Sequence, residues 1–209
     1  MTRVFIRSGA GVVPQQQFRI DHRRSGRPVI PLQPRGGSAH PHRHRTIRSG
    51  RFHRVLWPSG LPIVVVPELA DQLTVALEEF AQASGSTAES PLKIVLRPGT
   101  LGLHRSGRAV DIYEVGGKGI GPWAHEWNTA MRHAAAAKDP QEQTRIIDEE
   151  RAKNLGYRLY KALQARGGWA QPPGFPVQLF GPWTRGEGPH KAISDKLLHA
   201  HRDHIHVAK

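Results

Sequence analysis

The 209-residue chain has no cysteine, which excludes disulfide cross-links, thiolate zinc fingers and a cysteine nucleophile. Any metal it holds must sit on histidine, aspartate or glutamate. It has no apolar run long enough to cross a bilayer, and Arg3 and Arg7 stand near its start with no apolar block behind them. Neither a membrane span nor an ordinary secretory signal is therefore expected. Acidic residues are scarce at one end only. Residues 1 to 54 hold 12 arginines against a single acid, Asp21, and so carry +11 of the total +13, whereas residues 55 to 209 are close to neutral. Hydrophobic residues, at 38%, suffice for a core, while 22 glycines and 17 prolines imply many turns.

The charge asymmetry divides the chain into two expected parts, a basic arm over residues 1–54 and a folded domain over 55–209. In the arm Pro28, Pro31, Pro34 and Pro41 break any helical period, and large apolar residues are too few to bury, so it is expected to be mostly disordered. Such an arm is either a solvated tail or a binder of polyanions by counterion release, and nucleic acid, anionic lipid and wall polymers would all serve. His40, His42 and His44 alternate along it, a pattern able to hold a metal weakly but too unfixed for catalysis. Nucleic acid is not expected as a partner of residues 55–209, which lack a basic recognition helix.

From Val55 the texture changes. Two short apolar runs flank Pro58, Ser59 and Gly60, the mark of a hairpin turn, and Leu69, Leu73, Val75, Leu77, Phe80 and Ala81 then follow at helical spacings up to a stop at Gly85. The runs LKIVL (92–96) and RAVDIYEV (108–115) read as strands, with Ala109, Asp111 and Tyr113 on one face. Residues 123–167 read as two helices separated at Asp139 and Pro140. FPVQLFGPW and DHIHVAK read as two further strands, joined by a loop and a short helix through KAISDKLLHAH. Irregular alternation of strands and helices predicts an α+β fold with a small, mainly antiparallel sheet and flanking helices.

Chemistry concentrates in two places. In HRSGRAVD, His104 and Asp111 stand seven apart across a turn; Gly107 can take the positive φ that bends the chain back, and Ala109 leaves room beside a metal. In HAHRDHIHVAK, four histidines (His199, His201, His204, His206) fall within eight residues, and a strand there sends His204 and His206 to one face, Ile205 and Val207 to the other. Two imidazoles and a carboxylate leave a zinc ion one position open for water, the arrangement of a hydrolytic site. Other matches fail. His125-Glu126 lacks its second histidine at position 129, His201-Arg202-Asp203 has too little chain after it for a kinase, and GGKGIG is not a full phosphate loop. Trp123 and Trp183 are read as core or rim packing.

HxxGxAxD (His104, Gly107, Ala109, Asp111) together with HxxHxH (His201, His204, His206) resembles the LAS metallopeptidases, the group of lysostaphin-type enzymes, D-Ala-D-Ala peptidases and hedgehog domains. HxxHxH is most similar to the penicillin-insensitive murein endopeptidases. Over roughly residues 55 to 209, the resemblance implies a LAS/hedgehog-like fold and one zinc ion per chain held by His104, Asp111 and His206. His204 would stand beside the bound water, and His201 where relatives place a glutamate base, which leaves His201 and His204 both open as the base. Gly102 stands where the family often has serine. Arg97 is a further position able to reach a substrate carboxylate by a bidentate fork.

The activity so implied is zinc-dependent hydrolysis of peptide bonds in peptidoglycan, in a cross-link or a stem peptide. Action in the cell wall or periplasm without an export signal requires another route: release through a holin, as for a phage lysin, or delivery of an antibacterial toxin by an injection apparatus, with the arm as the loading segment. The alternative is a catalytically inactive hedgehog-like zinc domain that acts as a binding module while the arm holds a polyanion.

Overall fold

A computed structural model describes residues 44–99, 102–173, 175–184 and 194–209. Its longest regular stretch near the start, helix α1 (Pro67–Ala83), follows from the pattern already read: Leu69, Leu73, Leu77 and Phe80 line one stripe and are all buried. Pro67 fits the first turn, where its missing N–H is not needed, and Gly85 (φ 79°) turns the chain away after the last. Val75 falls outside that stripe and is 43% exposed.

The stripe packs on the main sheet, whose strands β2 (His53–Leu56), β4 (Leu92–Arg97), β5 (Ala109–Val115), β8 (Ile205–Ala208) and β7 (Leu179–Phe180) lie side by side in that order. The short β6 (Lys118–Gly119) turns back onto β5. All pairings are antiparallel except β2 with β4. The chain is thus α+β with a mainly antiparallel sheet, as expected.

Two local expectations are corrected. No hairpin forms across Pro58–Gly60: β2 instead pairs in parallel with β4, while β3 (Val64–Val65) pairs with β1 (Arg45–Thr46) in a separate two-stranded sheet. Pro58 and Pro62 carry no N–H, so a ladder joining the two apolar runs would lack donors where it needs them. Residues 123–167 contain parts of three helices rather than two, α2 (Ile120–Ala136), α3 (Pro140–Lys153) and α4 (Leu155–Arg166), because Asn154 ends one and begins the next. The expected short helix is α5 (Asp195–Ala200), capped by the Ser194 side chain.

The fold also begins before residue 55. Ile47 is 2% exposed, His53 is fully buried on β2, and β1 lies at Arg45–Thr46, so residues 45–54 belong to the fold and not to the arm. Residues 1–43, with His40 and His42, lie outside the described residues. Besides the pairing of β1 and β2, carboxylates of α1 hold this basic segment: Asp71 accepts from Arg45, and Glu78 accepts from the amides of Arg51 and Phe52 and sits 2.7 Å from His53 Nδ1. Burial opposes its ionisation, but the hydrogen bonds of His53, Phe52 and Arg51 outweigh that and hold its carboxyl below the usual range. A depressed folded pKa stabilises above the unfolded value and is lost as pH falls through the folded one. Thermal melts between pH 6 and 3 should therefore show the wild type losing stability below about pH 4.5, the ordinary glutamate value, with Glu78→Gln less stable at pH 6 and flatter over that range. Equal slopes for both proteins would count against this anchor.

Candidate metal centre

The site is built on the centre of the sheet. β5 and β8 are neighbours whose register sets Asp111 opposite His206. Alternation along each strand does the rest: Val110, Ile112, Ile205 and Val207 are fully buried in the core, so Asp111 and His206 turn to the other face. His104 arrives on the turn before β5, closed by Gly107 N–H to His104 O at 2.9 Å and Arg108 N–H to Leu103 O at 2.8 Å. Gly107 has φ +70°, the conformation that favours glycine, and a Cβ there would also sit tightly against Val64 O at 3.3 Å.

The sequence-predicted ligands come together. One ligand atom each from His104, Asp111 and His206 lie within 4.8 Å of one another. Asp111 Oδ1 is 3.0 Å from His206 Nδ1, 3.4 Å from His104 Nε2 and 3.8 Å from His204 Nε2. The three ligand side chains are only 13%, 8% and 8% exposed, in the order His104, Asp111, His206. Gly99 N–H donates to His104 Nδ1 at 3.1 Å, which aims Nε2 at Asp111. Coordination through Nε2 would move the ring proton to Nδ1 and open that contact.

The electrostatics favour a cation. Burial, then the neighbouring imidazoles of His206 and His204, push the His104 pKa down against the pull of Asp111. Burial opposes ionisation of Asp111, but the hydrogen bond from His206 and the surrounding imidazoles outweigh it and hold the carboxyl below the ordinary aspartate range. A carboxylate among imidazoles in a largely buried pocket is a donor set suited to a divalent ion. The described residues can therefore hold a metal, and the donor set fits zinc.

The remaining sequence-predicted residues surround this cluster. His201, at the end of α5, has its ring 5.3 Å from that of His206 and 5.0 Å from that of His204. Its Nδ1 donates to Leu197 O at 2.7 Å, and burial pushes its pKa down to about 4. His204 stacks on Tyr113 (5.0 Å between centroids, 20° between planes) and holds Asp203 Oδ1 at 2.8 Å through Nδ1. Arg97, paired with Asp111 across β4 and β5, lies over the Tyr113 ring at 4.4 Å. Burial, and then the charges of Asp111 and Asp203, push the Tyr113 pKa up.

Tyr113 and Asp203 were not singled out by motif, although each stands beside a motif residue at a spacing that strand alternation or sequence adjacency makes informative. Trp183 is in the core and Trp123 donates to Val115 O, so both pack rather than line the centre. A cavity of about 910 Å³ is lined by Leu103, Ser106 and Arg108 of the same turn together with Trp169 and Lys209, but none of the three ligand residues lines it. Comparison with known proteins finds no matching family model, no matching curated protein and no matching solved structure.

Proposed function

We propose that the chain is a zinc-dependent peptidase of the LAS type, hydrolysing peptide bonds in the cross-links or stem peptides of peptidoglycan. The observation that carries this reading is the convergence of His104, Asp111 and His206 to within 4.8 Å, with His201 and His204 alongside. The residues that meet are those the paired motifs assign. A zinc ion held there would supply Lewis acidity, acidifying water and polarising a carbonyl.

The chain's own residues have the remaining tasks. His204 or His201 takes a proton from the attacking water and returns it to the departing amine. Arg97 offers a fork for a substrate carboxylate, already oriented by its place over Tyr113. The basic arm binds a polyanion or serves as the loading segment of a delivery apparatus. With that route, or with holin-dependent release, the enzyme would act in the cell wall or periplasm as a lysin or an antibacterial toxin.

The test pairs metal content by mass spectrometry with release of peptide fragments from purified peptidoglycan, for the full chain and for His206→Ala. About one zinc per chain, as one set of three protein ligands would hold, and fragment release should both be lost in the variant. Zinc without release by the wild type would replace this reading with the inactive hedgehog-like binding module. Absence of zinc from the folded wild type would overturn both.

A further inference from the structure

Two imidazoles stand beside the ligand cluster, and the motifs do not choose between them. Their surroundings do. Among the described residues, the imidazoles with a nitrogen within 4.0 Å of Asp111 are those of His104, His204 and His206; His201 is not one of them. Two of those three are ligand residues, so His204 is the remaining ring that faces the cluster. We infer that Asp203 and Tyr113, neither of which the motif resemblance assigns, are positioning residues that hold His204 as the proton-transferring side chain, with its Nε2 presented to the cluster.

The argument rests on which nitrogen is committed. A carboxylate only accepts, so the 2.8 Å contact of His204 Nδ1 with Asp203 Oδ1 places a ring proton on Nδ1, and the neutral ring then carries its lone pair on Nε2. That Nε2 is 3.8 Å from Asp111 Oδ1, beyond hydrogen-bond distance, so Asp111 does not consume it. His201 Nδ1 likewise donates, but to the neutral carbonyl of Leu197. Only His204 has a carboxylate behind it to stabilise the cation formed when the ring takes a proton, because charge-assisted hydrogen bonds are about twice as strong as neutral ones.

Tyr113 completes the support. It follows Asp111 by two residues on β5, so the strand that presents the carboxylate ligand presents the platform for His204 on the same face. The 20° stack limits rotation of the imidazole, and the Arg97 guanidinium over the same ring limits that of the tyrosine. In the reaction the water oxygen bonds to the carbonyl carbon and the water proton passes to His204 Nε2. The carbon–nitrogen bond then breaks as that proton passes to the amine.

The chemical use of His204 rests on the peptidase reading; the placement of its ring does not, and the test separates the two. In the full chain labelled with ¹⁵N-histidine, without metal, long-range proton–nitrogen spectra should show His204 as the Nδ1–H tautomer in the wild type. Asp203→Ala should return it to the Nε2–H form. In zinc-loaded protein, Asp203→Ala should lower kcat for fragment release by about 100-fold, the lower end of what acid–base catalysis contributes, with KM nearly unchanged. Tyr113→Ala should lower kcat in the same way, and Tyr113→Phe, which keeps the stacking face, should restore it. An Nε2–H tautomer in the wild type, or a tautomer and kcat indifferent to Asp203→Ala, would overturn the inference. If the wild type releases no fragments, the peptidase reading falls, and the tautomer still decides how His204 is held.

Discussion

Asp111→Asn is expected to abolish metal uptake while leaving the fold intact. Asp111 is the one carboxylate in the cluster, and it faces the imidazoles of His104, His204 and His206 within 4.0 Å. Asparagine keeps its shape and an oxygen able to accept from His206 Nδ1, so circular dichroism and the melting temperature should change little. What it removes is the anion. The loss in metal affinity should exceed the roughly 10–100-fold that follows from deleting a residue that merely supports a ligand. Fragment release should fall with it. Retention of stoichiometric metal by Asp111→Asn would mean that the ion sits elsewhere.

The same site sets the acid limit of metal binding in the wild type. Protons compete with the ion for imidazole nitrogen, and burial pushes the His104 pKa below its ordinary 6.5. Metal should therefore be retained as the pH falls through that value and be released only at more acidic pH. Dialysis at stepped pH followed by metal analysis gives the midpoint, and release centred above 6.5 would contradict the burial argument.

The largest stability effect is expected away from the site, for Asn154→Ala. The Asn154 side chain is fully buried where α3 ends and α4 begins. Its amide donates to Trp123 O at 2.8 Å and to Glu150 Oε1 at 2.7 Å, and its oxygen accepts from Tyr157 N at 2.9 Å. Alanine removes the cap of α4, worth about 1 kcal/mol. It also leaves the Glu150 carboxylate, 2% exposed, and the Trp123 carbonyl short of a donor, a further ~1–3 kcal/mol. A total near 3 kcal/mol should lower the melting temperature by roughly 6–12 °C for a chain of this length. A fall of only a degree or two would show that packing, not this amide, joins α3 to α4.

These residues mark what was legible in the sequence. Strand alternation in RAVDIYEV and DHIHVAK placed Asp111 and His206 correctly, because one face of each strand is apolar and the register of β5 with β8 follows from burying it. The turn around Gly107 was readable for a similar reason, since its backbone conformation favours glycine. Asn154 was missed as a helix boundary because it sits inside a continuous helix-forming composition, and its signal is a buried tertiary network rather than a local period. The start of the fold was missed because residues 45–54 look like the arm in composition. Their inclusion depends on partners more than twenty residues away, among them Glu78 and Asp71 on α1. Tyr113 meets His204 only once β5 and β8 lie side by side, whereas Asp203 stands next to His204 in the chain.

The order of the strands has a further consequence, for how the molecule comes to be. β8 follows all the other strands in the chain yet lies between β5 and β7 in the sheet. Its partner β5 lies 95 residues earlier at the Asp111–His206 pair. Loops of that length close late and at an entropic cost. Until β8 inserts, His104 and Asp111 have no third ligand, and Val110 and Ile112 lack their neighbours Ile205 and Val207. The same pairing of β8 with β5 thus both closes the sheet's apolar face and brings His206 to Asp111, so a chain without its last strand would have only two of the three candidate ligands.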